Sequence, residues 1–358
     1  MKLRYHYLSL IVLVLAAISS NSCSQKKRIS YAADSLSYFS NPIGKGADPW
    51  VVKDNGFYYV CESIGNDEDG SSALVVRKSS SLTKLGQRKT VWTPPKNAWN
   101  SACIWAPELH RIGNRWYIYY AAGKSGPPYT FQRSGVLESV TDDPQGAYID
   151  KGILKTGVDE NDSSGVIWAI DVTVGKIKNQ LYAVWSGWDK NSKSHKTKQY
   201  LYIAKMSDPY TISSERVKIS GPEEEWETGG PLDLNEGPQF IFHYKDVFII
   251  YSTRESWTPQ YRLGQLRLKK GADPMKKENW IKSGPVFTGN KNVLGVGHAS
   301  FTKSPDDKQW WIFYHSKIEN TPGWKRDLRL QQFFWDKKGN PVFGEAIPVG
   351  VKIKKPSE

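Results

Sequence analysis

"DLNEGPQFIFHYKDVFIIYS", residues 233–252, contains two apolar runs on either side of a Tyr244-Lys245-Asp246 turn. Apolar runs this short, bounded by turn residues, read as strands, and the turn folds them into a hairpin. Glu236 stands just ahead of the first run, beside Gly237-Pro238. Alone, it is an ordinary polar residue at a strand start. Its meaning depends on whether the pattern recurs.

The pattern recurs four more times, as "DPWVVKDNGFYYVC" from Asp48, "ELHRIGNRWYIYY" from Glu108, "DVTVGKIKNQLYAVW" from Asp171 and "HASFTKSPDDKQWWIFY" from His298. The leading polar residues Asp48, Glu108, Asp171, Glu236 and His298 are 60, 63, 65 and 62 residues apart. Each unit carries hairpin turn chemistry, such as Asp54-Asn55-Gly56 and Gly113-Asn114. Each is followed by a third strand: "ALVVRKS", "RSGVLESV", "QYLYIAKM", "YRLGQLRL" and "DLRLQQFFW". Five such units with no long helical pattern predict an all-β chain, a five-bladed β-propeller in which stacking covers both faces of every blade. The first strand of a unit is the natural lining of the central channel. The five leading residues are therefore expected to gather at one mouth.

Composition agrees. The 358 residues carry 15 Trp, 19 Tyr and 12 Phe, which excludes a disordered chain and favours pleated, half-buried surfaces. The formal charge is +13, but the cations are spread along the chain, so nucleic acid is not an expected partner. "MKLRYHY" followed by "LSLIVLVLAAI" is a basic segment and an apolar core too short to span a bilayer comfortably. Residues 1–22 are therefore expected to be an export signal. Cys23 directly after it resembles a lipid-attachment cysteine, which puts the protein in the periplasm or at the cell surface, with membrane contact only through that anchor. Residues 23–40 read as a tether and 41–358 as the propeller. Cys61 and Cys103 read as buried thiols, a single bridge being the alternative.

Carboxylates and a histidine converging on one cavity suggest acid/base work. Paired carboxyl groups on opposite faces of a sugar are the apparatus of glycoside hydrolysis, and a third carboxylate can raise the acid's pKa. Trp105 and Trp168 stand close to leading positions, as aromatic sugar contacts would. No P-loop, HExxH, zinc-cysteine or serine-nucleophile motif is present.

"ADPW" (47–50), "IWAPELH" (104–110), "WAIDVTV" (168–174), "NEGPQ" (235–239) and "GHASF" (297–301), in this order and spacing, resemble glycoside hydrolase family 43, most nearly its α-L-arabinofuranosidases. The resemblance runs from about Asn41 to the C-terminus. It implies a five-bladed propeller that hydrolyses with inversion. Asp48 matches the general base, Glu236 the general acid and Asp171 the residue that tunes the acid's pKa. His298 matches a histidine near the channel centre associated with calcium or another cation, bound directly or through water. Arg326, in "RDLRLQQFFW", matches an arginine that contacts sugar hydroxyls, whereas Arg329 is read as structural, as is Glu108. The chemistry itself calls for no cofactor. The implied substrate is an arabinose- or xylose-containing polysaccharide or oligosaccharide, attacked from its end. β-Xylosidase is the alternative on the same residues, followed by endo-arabinanase and a non-catalytic carbohydrate-binding propeller. Val172 and Ala299 depart from the family's usual "WAIDGTV" and "GHNSF" beside the site.

Overall fold

The computed structural model describes residues 37–65, 71–124, 126–160 and 165–358. The apolar leader, Cys23 and the tether as far as residue 36 lie outside the described residues. The chain divides into two compact units. The described part of one is a ribbon in which Tyr38–Phe39 pairs antiparallel with Ile353–Lys354, so the end of the stretch read as a tether is a strand. The other, residues 41–349 with 356–358, holds the five repeats.

Each repeat is an antiparallel sheet in meander order. Blade one is Trp50–Asp54, Phe57–Ile64, Ala73–Ser79 and Gln87–Trp92. Blade two is Ala102–Ile112, Arg115–Gly123, Arg133–Ser139 and Tyr148–Ile153. Blade three is Ala169–Ile177, Gln180–Gly187 and Tyr200–Asp208, with two short outer strands, Thr211–Ile212 and Val217–Ser220, both pairing with the third. Blade four is Asn235–His243, Asp246–Thr253, Arg262–Leu268 and Trp280–Thr288. Blade five is Leu294–Lys303, Trp310–Lys317 and Arg326–Trp335. Its fourth strand is Gly44–Lys45, which precedes blade one in sequence and pairs with Asp327-Leu328. This closes the ring with hydrogen bonds. A two-residue strand is too short to leave a sequence pattern.

The second strands read as unbroken apolar runs, "FYYVC", "WYIYY" and "LYAVW", because both faces of each blade are covered. Four core clusters each join neighbouring blades. Cys61 and Val76 meet Trp116 and Ile118 between blades one and two, and Tyr119 and Val136 meet Val172 and Trp185 between two and three. Val184 and Ile203 meet Ile249 and Leu266 between three and four, and Ile250 and Leu263 meet Ile312 and Tyr314 between four and five. Blade five meets blade one partly through hydrogen bonds, from Val51 N–H to Ser300 Oγ at 3.1 Å and from Tyr58 O–H to Lys303 O at 2.9 Å. Cys61 and Cys103 are both buried, and the Cys103 thiol donates to Lys124 O at 3.2 Å.

Candidate active site

One backbone device recurs at the start of the five inner strands. Asp48, Ala106, Asp171, Gly237 and His298 all have left-handed φ, at 48°, 41°, 55°, 53° and 44°. In blades two to five this residue lies at a break in register with the second strand. A bulge of this kind re-aims side chains that regular pleating would send into the sheet faces. Left-handed backbone costs a non-glycine residue roughly 1–3 kcal/mol and gathers at functional sites. Only blade four meets the requirement with glycine. A Cβ on Gly237 would also come within 3.2 Å of the His298 ring.

This device corrects the predicted ring. The equivalent of Asp48 in blade two is Ala106, not Glu108, and in blade four it is Gly237, with Glu236 one residue before it. Glu108 lies two residues farther along its strand. There its carboxylate, 2% exposed, accepts from Gln239 Nε2 and pairs with His110 Nε2 at 2.8 Å. Burial holds it well above the usual carboxylate range. Glu108 thus ties blade two to blade four, in keeping with its structural reading.

The other leading residues meet. Asp48 Oδ1 lies 3.3 Å from Arg326 Nη1, 3.4 Å from His298 Nδ1 and 3.3 Å from His315 Nδ1. Burial alone would raise its pKa, but Arg326 first, then His298, hold it far below the usual carboxylate range. Glu236 is 8% exposed and accepts from the Tyr261 hydroxyl at 2.9 Å. Burial, then the charge of Asp171, pushes it well above that range, against the pull of the Tyr261 hydrogen bond. Asp171 Oδ2 accepts the Gly237 N–H at 2.9 Å, so it holds the backbone directly after Glu236. Its own carboxyl is raised by burial and by Asp48, with His298 and the Gly237 N–H opposing.

Three residues here escaped the sequence reading. His315 is fully buried, and its Nδ1 accepts the Asp48 N–H at 3.1 Å. Burial brings its pKa down to about 4, so the imidazole is neutral near pH 7. Tyr261 stacks on His315 with centroids 5.4 Å apart and planes 10° from parallel, which links Glu236's partner to Asp48's. Gly297 makes room for it, since a Cβ there would sit 2.3 Å from the Tyr261 ring. Ser252 Oγ accepts the His298 N–H at 2.8 Å. Ser252 and His315 directly follow Tyr251 and Tyr314, the closing aromatics of their hairpins, and strand alternation turns the next side chain to the other face.

Arg326 keeps a buried Nε with no hydrogen-bond partner. Arg329 is a brace, donating from Nε to Ser316 Oγ at 2.5 Å and from Nη1 to Ile347 O at 3.1 Å. Trp168 is only 3% exposed, stacks on Trp188 at 4.5 Å and donates to Tyr129 O at 2.9 Å, so packing takes up most of its surface. Trp105 is half-buried, edge-on to Tyr129 at 5.1 Å, and is the one of the pair with area open to a ligand. Val172 and Ala299, the departures beside the site, are each 2% exposed and point into the packing between blades. A separate concavity at the turn end of the inner strands, lined in part by Lys53, Phe240, Lys303 and Trp310, holds none of these carboxylates. Among the described residues no three His, Cys, Asp or Glu side chains form a metal cage.

The profile of glycosyl hydrolases family 43 matches residues 39–341. The chain belongs to that family. This family 43 glycoside hydrolase is 32% identical over 356 residues, 96% of the chain and 70% of the relative, to an extracellular exo-α-(1→5)-L-arabinofuranosidase of Streptomyces avermitilis. It superposes on an α-L-arabinofuranosidase of Lactobacillus brevis with a TM-score of 0.76 at 27% identity, covering 87% of this chain and 98% of that one. A xylan β-1,4-xylosidase of Bacillus halodurans, 15% identical, gives a TM-score of 0.65 over 89% of this chain and 60% of its own, and shares the fold alone.

Proposed function

We infer that this family 43 hydrolase is an exported, exo-acting α-L-arabinofuranosidase working with inversion on arabinan or arabinose-decorated polysaccharides. The observation that carries the chemistry is the contrast between Asp48, held by Arg326 and His298 far below the usual carboxylate range, and the nearby Glu236, held well above it by burial and the charge of Asp171. Asp48, held ionised, takes a proton from a water that attacks C1 of the sugar. Glu236, held protonated, gives its proton to the leaving glycosidic oxygen as the C1–O bond breaks. The two carboxyls should then stand ~6.5–9.5 Å apart, with room for the sugar and the water. Asp171 maintains the acid's proton by its charge and the acid's position through Gly237 N–H. Arg326 and His298 orient Asp48, and Arg326 is the arginine read as contacting sugar hydroxyls.

The arabinose specificity draws support from the names of the two arabinofuranosidases that this chain resembles. Export draws support from the basic-apolar N-terminus and from the extracellular Streptomyces relative. The reading includes a lipid on Cys23, tested by metabolic labelling with a fatty acid; an unlabelled wild type would remove the anchor and leave export standing.

The deciding experiment compares nitrophenyl α-L-arabinofuranoside, nitrophenyl β-D-xyloside and linear arabinan. The expected outcome is fastest turnover of the arabinofuranoside and release of arabinose alone from arabinan. Proton NMR should show the β-anomer first. Preference for the xyloside would make the enzyme a xylosidase, and oligosaccharide products would make it endo-acting. The α-anomer first would overturn inversion. Binding without turnover of any substrate would make it a non-catalytic propeller.

A further inference from the structure

The loops between the second and third strands of blades four and five carry Trp257 and Trp324. Their rings lie 5.4 Å apart at 52°, an open corner. Trp324 is 61% exposed, the one tryptophan among the described residues with so much open area. A single exposed apolar side chain is ordinary. This one differs in its neighbours. The Arg326 guanidinium lies 5.5 Å from the Trp324 ring centre, and the same guanidinium reaches Asp48 Oδ1 at 3.3 Å. Trp257 is four residues before Tyr261, whose hydroxyl meets Glu236. The corner is thus continuous with both catalytic carboxyls and lies outside them.

It is also braced. Gly323 N–H donates to Trp257 O at 2.8 Å, and the buried Lys317 ammonium donates to Gly323 O at 2.6 Å. Thr258 Oγ1 donates to Glu255 O at 2.9 Å, and the fully buried Glu255 carboxylate accepts Leu232 N–H at 2.8 Å. These contacts fix the loop backbones while the Trp324 indole faces solvent. A rigid exposed aromatic beside an arginine suits a ligand with an apolar face and a polar edge. A sugar ring is such a ligand: its C–H face covers the indole and its hydroxyls take N–H donors.

We propose that Trp324 and Trp257 form a platform for the sugar units that follow the terminal arabinose, the part of the chain that leaves. This rests on the arabinofuranosidase reading, because the buried carboxyls accept the chain end and the exposed rim takes what extends from it. The proposal makes Trp324 a determinant of preference for chains over small arabinosides.

The test compares an α-1,5-linked arabino-oligosaccharide with methyl α-L-arabinofuranoside, whose leaving group is too small to reach the platform. In Trp324→Ala and in Trp257→Ala, kcat/KM for the oligosaccharide should fall about fivefold to tenfold through KM, the range of one aromatic contact. The methyl glycoside should change much less. Phe334→Ala, which removes another exposed ring (62%) elsewhere in blade five, should change neither. Equal losses on both substrates would overturn the platform, because Trp324 would then be acting through Arg326 on Asp48. Unchanged oligosaccharide kinetics would overturn it too. A binding readout separates this proposal from the activity itself. In a Glu236→Gln background, arabino- and xylo-oligosaccharides are titrated while tryptophan fluorescence is followed. A signal from either sugar that is lost in Trp324→Ala supports the platform even if arabinosides are not the substrate. A signal from neither removes it.

Discussion

Asp48 and Glu236, the proposed base and acid, lie close enough for one charge to act on the other, yet they inhabit different chemical worlds. Around Asp48 stand a guanidinium and two imidazoles, all within 3.4 Å of the same oxygen. Around Glu236 stand an uncharged phenol and, farther off, the like charges of Asp171 and Asp48. Both groups are desolvated, and desolvation raises both pKa values. Only the base side holds enough positive charge to reverse that. Burial thus supplies a common background, and the neighbours decide which carboxyl is the acid. The pH profile follows from the signs. Activity should fall as pH rises through the raised pKa of Glu236, which must keep its proton. It should fall at the acid side only as pH drops through the depressed pKa of Asp48, which must stay ionised.

The comparison breaks most completely at Asp48. Asp48→Asn leaves no group to accept the water's proton. Turnover should drop on the order of 10⁴-fold whatever the leaving group. Comparable rates in wild type and variant on any arabinoside would move the base elsewhere. Glu236→Gln should cost on the order of 10²–10⁴-fold on natural arabinosides and far less on a dinitrophenyl arabinoside, whose leaving group departs unprotonated. Its pH profile should also lose the alkaline limb. Equal impairment on both substrates would deny Glu236 the acid's role.

The architecture was legible in the sequence because its cause is repetitive. The predicted hairpin turns at Asp54-Asn55-Gly56, Gly113-Asn114 and Tyr244-Lys245-Asp246 all join paired strands, with Asp54 and Asp246 as the strand ends themselves. "ALVVRKS" coincides with the strand Ala73–Ser79. Register at the channel mouth was not legible. Counting from polar residues made Glu108 a member of the ring, but a left-handed bulge at Ala106 shifts its facing, and an alanine carries no mark of that backbone. His315, Tyr261 and Ser252 were missed for another reason. Ser252 and His315 lie on second strands and Tyr261 in the loop just before a third strand, and they reach the site only through blade packing, which no local pattern records. The closing strand Gly44–Lys45 is a long-range pairing of two residues.

Asp171→Asn is the next smaller break. It keeps an acceptor for Gly237 N–H but removes a charge that raises Glu236's pKa. The alkaline limb of kcat/KM should move to lower pH, with a loss on the order of 10²-fold near neutrality. An unmoved limb would mean that Asp171 only positions the backbone.

The smallest effect, and the sharpest in sign, belongs to Tyr261→Phe. The Tyr261 hydroxyl is the one close hydrogen-bond donor to Glu236 among the described residues, and it favours the ionised form. Removing it should raise Glu236's pKa further, so the alkaline limb should move to higher pH, opposite to Asp171→Asn. At neutral pH the acid is protonated in both proteins. The rate should therefore fall only through looser orientation of the carboxyl, by roughly twofold to tenfold for one neutral hydrogen bond. The phenylalanine ring keeps the stack on His315, so the acid limb governed by Asp48 should stay in place. Kinetic profiles of wild type and both variants on one substrate measure both limbs in each protein. Alkaline limbs moving the same way in the two variants would show that Glu236 is not the group titrating there. An acid limb that moves in Tyr261→Phe would show that the two sides of the cavity are coupled through the stacked rings and not set independently by their neighbours.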